Sequence, residues 1–291
     1  MFAELLQFLF SGVTVGATYA LVGLGFVIIF NASQVINFAQ GEFVMIGGMA
    51  TISLTDAGLP MPAAIVLAVL AAMAVGVALE KFAVEPARNA SVVTVIIITI
   101  GASIFLRGAA MMVWDRNLHH MAPFSGNDPI DIAGAALLPQ SLWVVGGTLA
   151  TVVGLWLFFS HTRIGRATLA TSHEHLAAQL VGINTKHILR LSYALAAGLG
   201  AVAGILIAPI ALTHAGVGVL LGLKGFSAAI VGGLGNPLGA VAGGLFVGIA
   251  EALTAGYVSS TYKDAVAFIA ILLVLFVRPT GLFGRRESDR V

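Results

Sequence analysis

Hydrophobic residues fall in blocks close to the length of a membrane-crossing helix, about 20 residues. Seven blocks are uninterrupted: Phe8–Phe30, Pro62–Glu80, Val92–Trp114, Leu142–Phe159, Leu191–Leu212, Leu238–Gly256 and Ala265–Val277. Two more, Val35–Thr55 and Gly216–Gly235, are interrupted by polar residues or glycine and predict broken helices. The expected fold is an all-α polytopic membrane protein of eight to nine transmembrane helices, two of them broken.

Composition agrees with the blocks and removes the soluble alternatives. Of 291 residues, 59% are hydrophobic and 9% charged, against about 25% charged in an ordinary soluble domain. Too few charges remain to cover a water-facing surface, so lipid must replace water around most of the chain. The net charge of +1 is dispersed and offers no basic face to nucleic acid. Without cysteine there are no disulfides and no thiolate metal sites. A cleavable signal peptide is not expected, because no Lys or Arg precedes the first apolar run and no A-x-A-type site follows a short core.

Basic residues orient the spans, since short loops rich in Lys and Arg stay cytoplasmic. Lys81 and Arg88 mark one such region, Arg163, Arg166, Lys186 and Arg190 a second, and Arg278, Arg285, Arg286 and Arg290 a third. The Asp115–Pro139 stretch carries Arg116 but also Asp128 and Asp131 and fits the outside. The N-terminus is then outside and the C-terminus cytoplasmic, which requires an odd number of crossings. Nine satisfies it.

The halves share a layout within what is expected to be one permease domain over residues 1–291. Residues 8–114 would form a first helical repeat, 142–159 a connector, 161–190 a cytoplasmic loop, 191–277 a second repeat, and 278–291 a tail. Each repeat would open on a firm span and continue into a glycine-interrupted one, with Phe43 and Gly47-Gly48 in the first and Phe226 and Gly232-Gly233 in the second. Inverted repeats with interrupted helices at matching positions point to a transport path near the midplane. Small residues four apart, at Ala194/Gly198, Gly200/Gly204, Gly239/Gly243 and Gly244/Gly248, predict tight helix packing.

Polar groups where lipid is expected narrow the search. In the run Asn31 to Phe43, the side chains of Asn31, Ser33, Gln34, Asn37, Gln40 and Glu42 cannot all face hydrocarbon, where each unsatisfied group costs several kcal/mol. They either line a path or form a polar turn near the interface, with Gly41 allowing close backbone approach. Asn31, Asn37, Gln40, Gly41 and Glu42, with Phe226, Gly232 and Gly233, are the candidate path set. Arg107 is expected to snorkel outward and Lys224 to reach the outer interface, while Glu251 sits among small residues and should face protein. His119-His120 and His173-Glu174-His175 lie on opposite sides of the membrane and lack zinc-protease spacing, which disfavours a membrane enzyme.

The loop HTRIGRATLATSHEHLAAQLVGINTKHILR, residues 161–190, carries the clearest functional pattern. Gly165 is expected to break the incoming helix, and Thr171 or Ser172 to cap a short new one. Leu176, Ala177, Leu180 and Val181 then share one stripe, and Gly182 supplies a left-handed stop. Such a short amphipathic helix wants either a partner groove or a lipid surface.

At this point the chain resembles the permeases of branched-chain amino acid ABC transporters, of the LivH type. The matching residues are Gly16-Ala-Thr-Tyr-Ala-Leu, Gly25-Phe-Val-Ile-Ile-Phe, Ile36-Asn-Phe-Ala-Gln-Gly-Glu-Phe, Arg163-Ile-Gly-Arg-Ala, Leu180-Val-Gly-Ile-Asn, Lys224-Gly-Phe with Gly232-Gly233, and Arg278-Pro-Thr-Gly-Leu-Phe-Gly. They span almost the whole chain. One departure follows Arg166-Ala, where the family usually has a basic residue and then an acidic pair; this chain has Leu169 and Ser172-His173-Glu174-His175.

The resemblance implies a translocation subunit, not an enzyme, in the inner membrane. Its implied partners are ATP-binding cassette ATPase subunits, a second homologous permease and a periplasmic substrate-binding protein. ATP would sit on those ATPase subunits, with no cofactor in this chain. Arg163, Gly165, Arg166, His173, Glu174, Leu176, Leu180 and Gly182 would couple the chain to its ATPase. The sequence adds that no G-x-x-x-x-G-K-[ST] loop is present, so ATP-driven work must come from another chain. Permeases of the same class for urea or amides, and an ion-coupled secondary transporter using Glu42 or Glu251, remain as alternatives.

Overall fold

Helix ends follow local stop signals. In the computed structural model, which describes residues 2–284, α1 (Phe2–Ser33) ends where Gln34 enters the left-handed region at φ 57°. The chain continues through α2 (Gln40–Asp56), α3 (Met61–Leu79), α4 (Val92–Val113), α5 (Pro139–His161), α6 (Arg163–His173) and α7 (His175–Leu180). Then come α8 (Thr185–Ile207), α9 (Val217–Gly232), α10 (Pro237–Tyr257) and α11 (Ala265–Val277). Ser91, Asn184 and Asn236 cap α4, α8 and α10 by accepting hydrogen bonds from Thr94, His187 and Gly239 backbone N–H groups. Of the tail residues read as cytoplasmic, Arg285, Arg286 and Arg290 lie outside the described residues.

The chain is an all-α polytopic membrane protein. Six helices are long and apolar enough to span: α1, α3 with its extension to Ala87, α4, α5, α8 and α10. The α9 and α11 helices are apolar but shorter. The two segments expected as broken helices are instead short continuous ones, α2 of 17 residues and α9 of 16. A non-helical stretch, residues 34–39, precedes α2, and Gly232-Gly233 lies at the C-terminal end of α9. Gly47-Gly48 stays helical because the missing β-carbons serve packing: a Cβ on Gly47 would strike the backbone of Ala201 on α8.

The anchor of the bundle is α1, whose spanning window is 83% buried, with 72% for α8, against 17% for α4 and 11% for α5. It packs mainly on α10, while α3 packs on α8, a reciprocal arrangement of first and third helices between the halves. Gly16 meets the backbone of Gly244 and Leu245, and Gly248 that of Gly16 and Gly12. Gly239 and Gly243 close the α9–α10 hairpin, while Gly198 packs on Met73 and Gly204 on the backbone of Val44. The connection after α4 carries a hairpin that hydropathy does not reveal, β1 (Ile130–Ile132) paired with β2 (Ala135–Leu137). It rests on the start of α1, where Ala136 N–H donates to Gln7 Oε1 at 2.7 Å. His119 and Thr213 exchange backbone hydrogen bonds and tie that connection to the α8–α9 turn.

Past Leu79 the third helix widens into one π turn, Glu80–Val84, before a 3₁₀ turn, Glu85–Ala87. The i to i+5 bond from Glu85 N–H to the Glu80 carbonyl brings both carboxylates to Arg190 of α8. Arg190 donates Nε to Glu80 at 3.0 Å and Nη2 to Glu85 at 2.9 Å. Glu80 is 1% exposed, so Arg190→Met strands a buried carboxylate and should cost roughly 3 kcal/mol. Thermal unfolding in detergent measures this, and adding Glu80→Gln should restore part of the loss.

Candidate functional site

The helices α2 and α9 meet at the centre. A Cβ on Gly41 of α2 would collide with the carbonyl of Gly218 and sit 2.9 Å from Gly222 Cα, both on α9. Three missing side chains therefore let α2 and α9 cross backbone to backbone. Beside that crossing a cavity of about 150 Å³ opens between α2, α4 and α9.

Glu42, in the first turn of α2, is 1% exposed and lines this cavity. Its Oε1 accepts from Ser103 Oγ at 2.7 Å and from Arg107 Nη2 at 3.3 Å. Ser103 and Arg107 stand one turn apart on α4, so both reach the same oxygen. Among the described residues Glu42 Oε2 and Arg107 Nε have no hydrogen-bond partner. Phe226 of α9 lies between Phe26 and Phe38, with ring centroids 5.6 Å from each, and the three rings wall the cavity.

A second buried charge cluster has the signs exchanged. In the first half the acid is on α2 and the base on α4; in the second, Lys224 is on α9 and Asp264 stands just before α11. Lys224 Nζ donates to Glu251 Oε1 at 2.7 Å and Asp264 Oδ1 at 2.5 Å and lies over the Tyr19 ring. Tyr19 Oη donates to Glu251 Oε2 at 2.8 Å. The expected outward reach of Arg107 and Lys224 is corrected by their contacts: Lys224 pairs with Glu251 and Asp264, and Arg107 with Glu42. Ser103 was missed altogether, since a lone serine in an apolar span carries no signal until its neighbour across the bundle is known.

The other candidate path residues are distributed along the fold. Asn31 Nδ2 donates to the Gly235 carbonyl at 3.0 Å, and Asn37 caps the turn before α2 through Ala39 N–H. Gln40 Nε2 donates to the Ala196 carbonyl at 2.8 Å, wedged against Gly25. Gly232 and Gly233, the latter at φ 106°, form the tight turn into α10, onto which Leu282 and Phe283 N–H groups bond. Only Glu42 and Phe226 of the set line the central cavity.

On the face where α5 ends, the chain turns at Thr162, extended at ψ 150°, whose hydroxyl caps Gly165 N–H. The break thus precedes Gly165. That glycine sits inside α6, where a Cβ would strike the Phe158 carbonyl, so α6 folds tightly back on α5. Thr171 and Ser172 likewise belong to α6, and the cap position of α7 is Glu174, extended at φ −152°. Ala178 is buried against the bundle, while Leu176, Leu180 and Val181 are 65%, 81% and 77% exposed. Gly182 takes the left-handed stop at φ 88°. Arg163, Arg166, His173 and Glu174 are exposed, and among the described residues neither arginine has an ion-pair partner. A groove of about 510 Å³ joins Asn31 and Gln34 to Arg88, His173 and Glu174, which places the polar end of α1 beside the α6–α7 junction.

This architecture is a polytopic helical membrane bundle. The solved PsaBC of Streptococcus pneumoniae in complex with Fab shares the fold, with a TM-score of 0.51 and 16% identity over 96% of this chain and 97% of that one. The chain belongs to the family described as branched-chain amino acid transport system / permease component, whose model matches residues 8–275. Relatives include the high-affinity branched-chain amino acid transport system permease protein LivH of Escherichia coli (strain K12), 35% identical over 100% of this chain and 99% of that protein. The corresponding permease BraD of Pseudomonas aeruginosa is 35% identical over 98% of both.

Proposed function

We propose that this chain is the translocation subunit of an ATP-driven importer for branched-chain amino acids in the inner membrane. The end-to-end correspondence with permease proteins of that transport system carries the reading. We take the chain to cross nine times, α1 to α5 and α8 to α11, with α1 running inward; the basic residues of the 80–90 and 161–190 loops support that orientation. The hairpin and the His119–Thr213 bridge are then outside, and the Asn31–Gly235 contact, α6 and α7 cytoplasmic. The reciprocal packing of α1 on α10 and α3 on α8, with α2 crossing α9 at the centre, supports an inverted repeat over residues 8–114 and 191–277.

The working partners are two ATP-binding cassette subunits, a second related permease and an external binding protein. The exposed apolar edge of α7 beside Arg163 and Arg166 suits a groove on the ATPase. Closure of the ATPase pair on ATP would push α6 and α7 as one lever, because α6 is locked on α5 at Gly165 and α7 on α8. The two half-bundles would then rock about the α2–α9 crossing.

Proteoliposomes holding the assembled transporter should take up L-leucine only with internal ATP. Leu180→Glu should weaken association with the ATPase about ten- to hundredfold, the worth of one buried leucine, and abolish uptake in step. The thermal stability of the isolated chain should not change, since Leu180 is exposed. Concentrative uptake by this chain alone would end the proposal.

A further inference from the structure

We propose that the cavity between α2, α4 and α9 is a binding site for a zwitterionic aliphatic amino acid, with Glu42 taking its ammonium group and Arg107 its carboxylate. This rests on the importer reading and deepens it by naming the place and chemistry of one station on the path.

Charge comes first. Glu42 and Arg107 sum to zero, so a zwitterion that inserts between them exchanges one ion pair for two and brings no net charge into an apolar bundle. An amine or an acid alone would leave one buried charge unmatched.

The pair also has unused capacity. A carboxylate has room for about four hydrogen bonds and a guanidinium has five donors. Here Oε1 holds both Ser103 and Arg107 while Oε2 holds nothing, and Arg107 Nε is likewise unpartnered. The 3.3 Å contact is long beside the usual charge-assisted distance of about 2.8 Å. Lys224 is the contrast, with two acids at 2.7 and 2.5 Å and an aromatic face. That cluster is closed and structural; the Glu42 pair is open to a third party. Gly218 keeps it open, because a Cβ there would stand 3.1 Å from Oε2.

Shape selects the side chain. Phe26, Phe38, Phe226 and Leu223 form an apolar wall around about 150 Å³, a volume that holds a benzene-sized body. A butyl or propyl branch is smaller than that body and fits. The Arg107 side chain is 30% exposed and that of Glu42 only 2%, so the mouth lies at the guanidinium. An amino acid would enter side chain first and leave its carboxylate at Arg107.

The test uses the complete transporter in nanodiscs, free of nucleotide, with a photoreactive diazirine analogue of L-leucine as probe. Light should attach the probe to Phe226 or Leu223 peptides. L-leucine and L-valine should displace it, while 4-methylpentanoate and 3-methylbutylamine, each lacking one charge, should not. Glu42→Gln and Arg107→Gln should each reduce labelling by at least about tenfold. Phe226→Trp, which fills the cavity without touching either charge, should remove labelling as well, and recovery of assembled complex on gel filtration checks folding. Labelling mapped elsewhere, absent from the native transporter, displaced by the single-charge analogues, or unchanged in the variants that assemble would overturn the site. ATP-driven leucine uptake by the native transporter is measured alongside. Its presence with any of those results sinks the site alone, and its absence sinks the importer reading.

Discussion

Lys224→Met is expected to lower stability by roughly 3–5 kcal/mol, the cost of removing one partner from a buried ion pair. Lys224 is 6% exposed and is the cation for Glu251, itself 7% exposed on the face of α10 that meets α1. Without it, Glu251 keeps only the Tyr19 hydroxyl at 2.8 Å. Asp264 suffers less, because its side chain is 46% exposed and water can replace the ammonium. The double variant Lys224→Met/Glu251→Gln should recover most of the loss, since no unmatched charge remains and the amide can still accept from Tyr19. Thermal unfolding in detergent separates the cases. A single variant as stable as the parent would refute the pairing as a stabilising contact.

Gly47→Leu should prevent the chain from accumulating in the membrane as a folded species. A Cβ at Gly47 would enter the backbone of Ala201, and Gly204 meets the Val44 backbone from the other side, so α2 and α8 interlock through two missing side chains. Backbone cannot swing aside as a side chain can. The smallest overpacking substitutions cost about 1–3 kcal/mol, and a leucine adds a whole branch. Gly146→Leu is the matched control, because nothing lies within 4 Å of a Cβ at Gly146. Fluorescence-detected size exclusion of the two variants should show a monodisperse peak for Gly146→Leu and none for Gly47→Leu. Equal profiles would refute the interlock.

How much was legible in the chain varies by element. Ala265–Val277 was read with its bounds unchanged, and the third and fourth spans within one residue at each end, because Pro, Ser and charged residues mark those ends sharply. The short helices α2 and α9 were read as broken, since Gly47-Gly48 and Gly232-Gly233 look alike in sequence. In the fold the first pair packs on α8 and the second makes a turn. Gly182 was legible as a left-handed stop, whereas Gly165, three residues past Thr162, was mistaken for the break it only permits.

Of the candidate site, Glu42 and Phe226 stood out, yet Arg107 and Ser103, 65 and 61 positions away from Glu42, could not be assigned to it. Helical spacing tells which side chains share a face of one helix and is silent about which faces meet. The arginine and the lysine each had two apolar-bundle solutions, snorkelling or pairing, and only the approach of another helix chooses between them.

The sequence by itself determined that this is a membrane protein, where its long helices run, and which family it joins, because hydrocarbon imposes length and composition on every span. The tertiary structure alone decided that α1 is the hub while α4 and α5 lie at the periphery. Lipid and protein interior are equally apolar, so hydropathy does not distinguish a helix facing one from a helix facing the other. It also decided the partners of the buried charges, for a charge in a low-dielectric bundle is settled by what comes within about 3 Å of it, and that distance is a property of the fold.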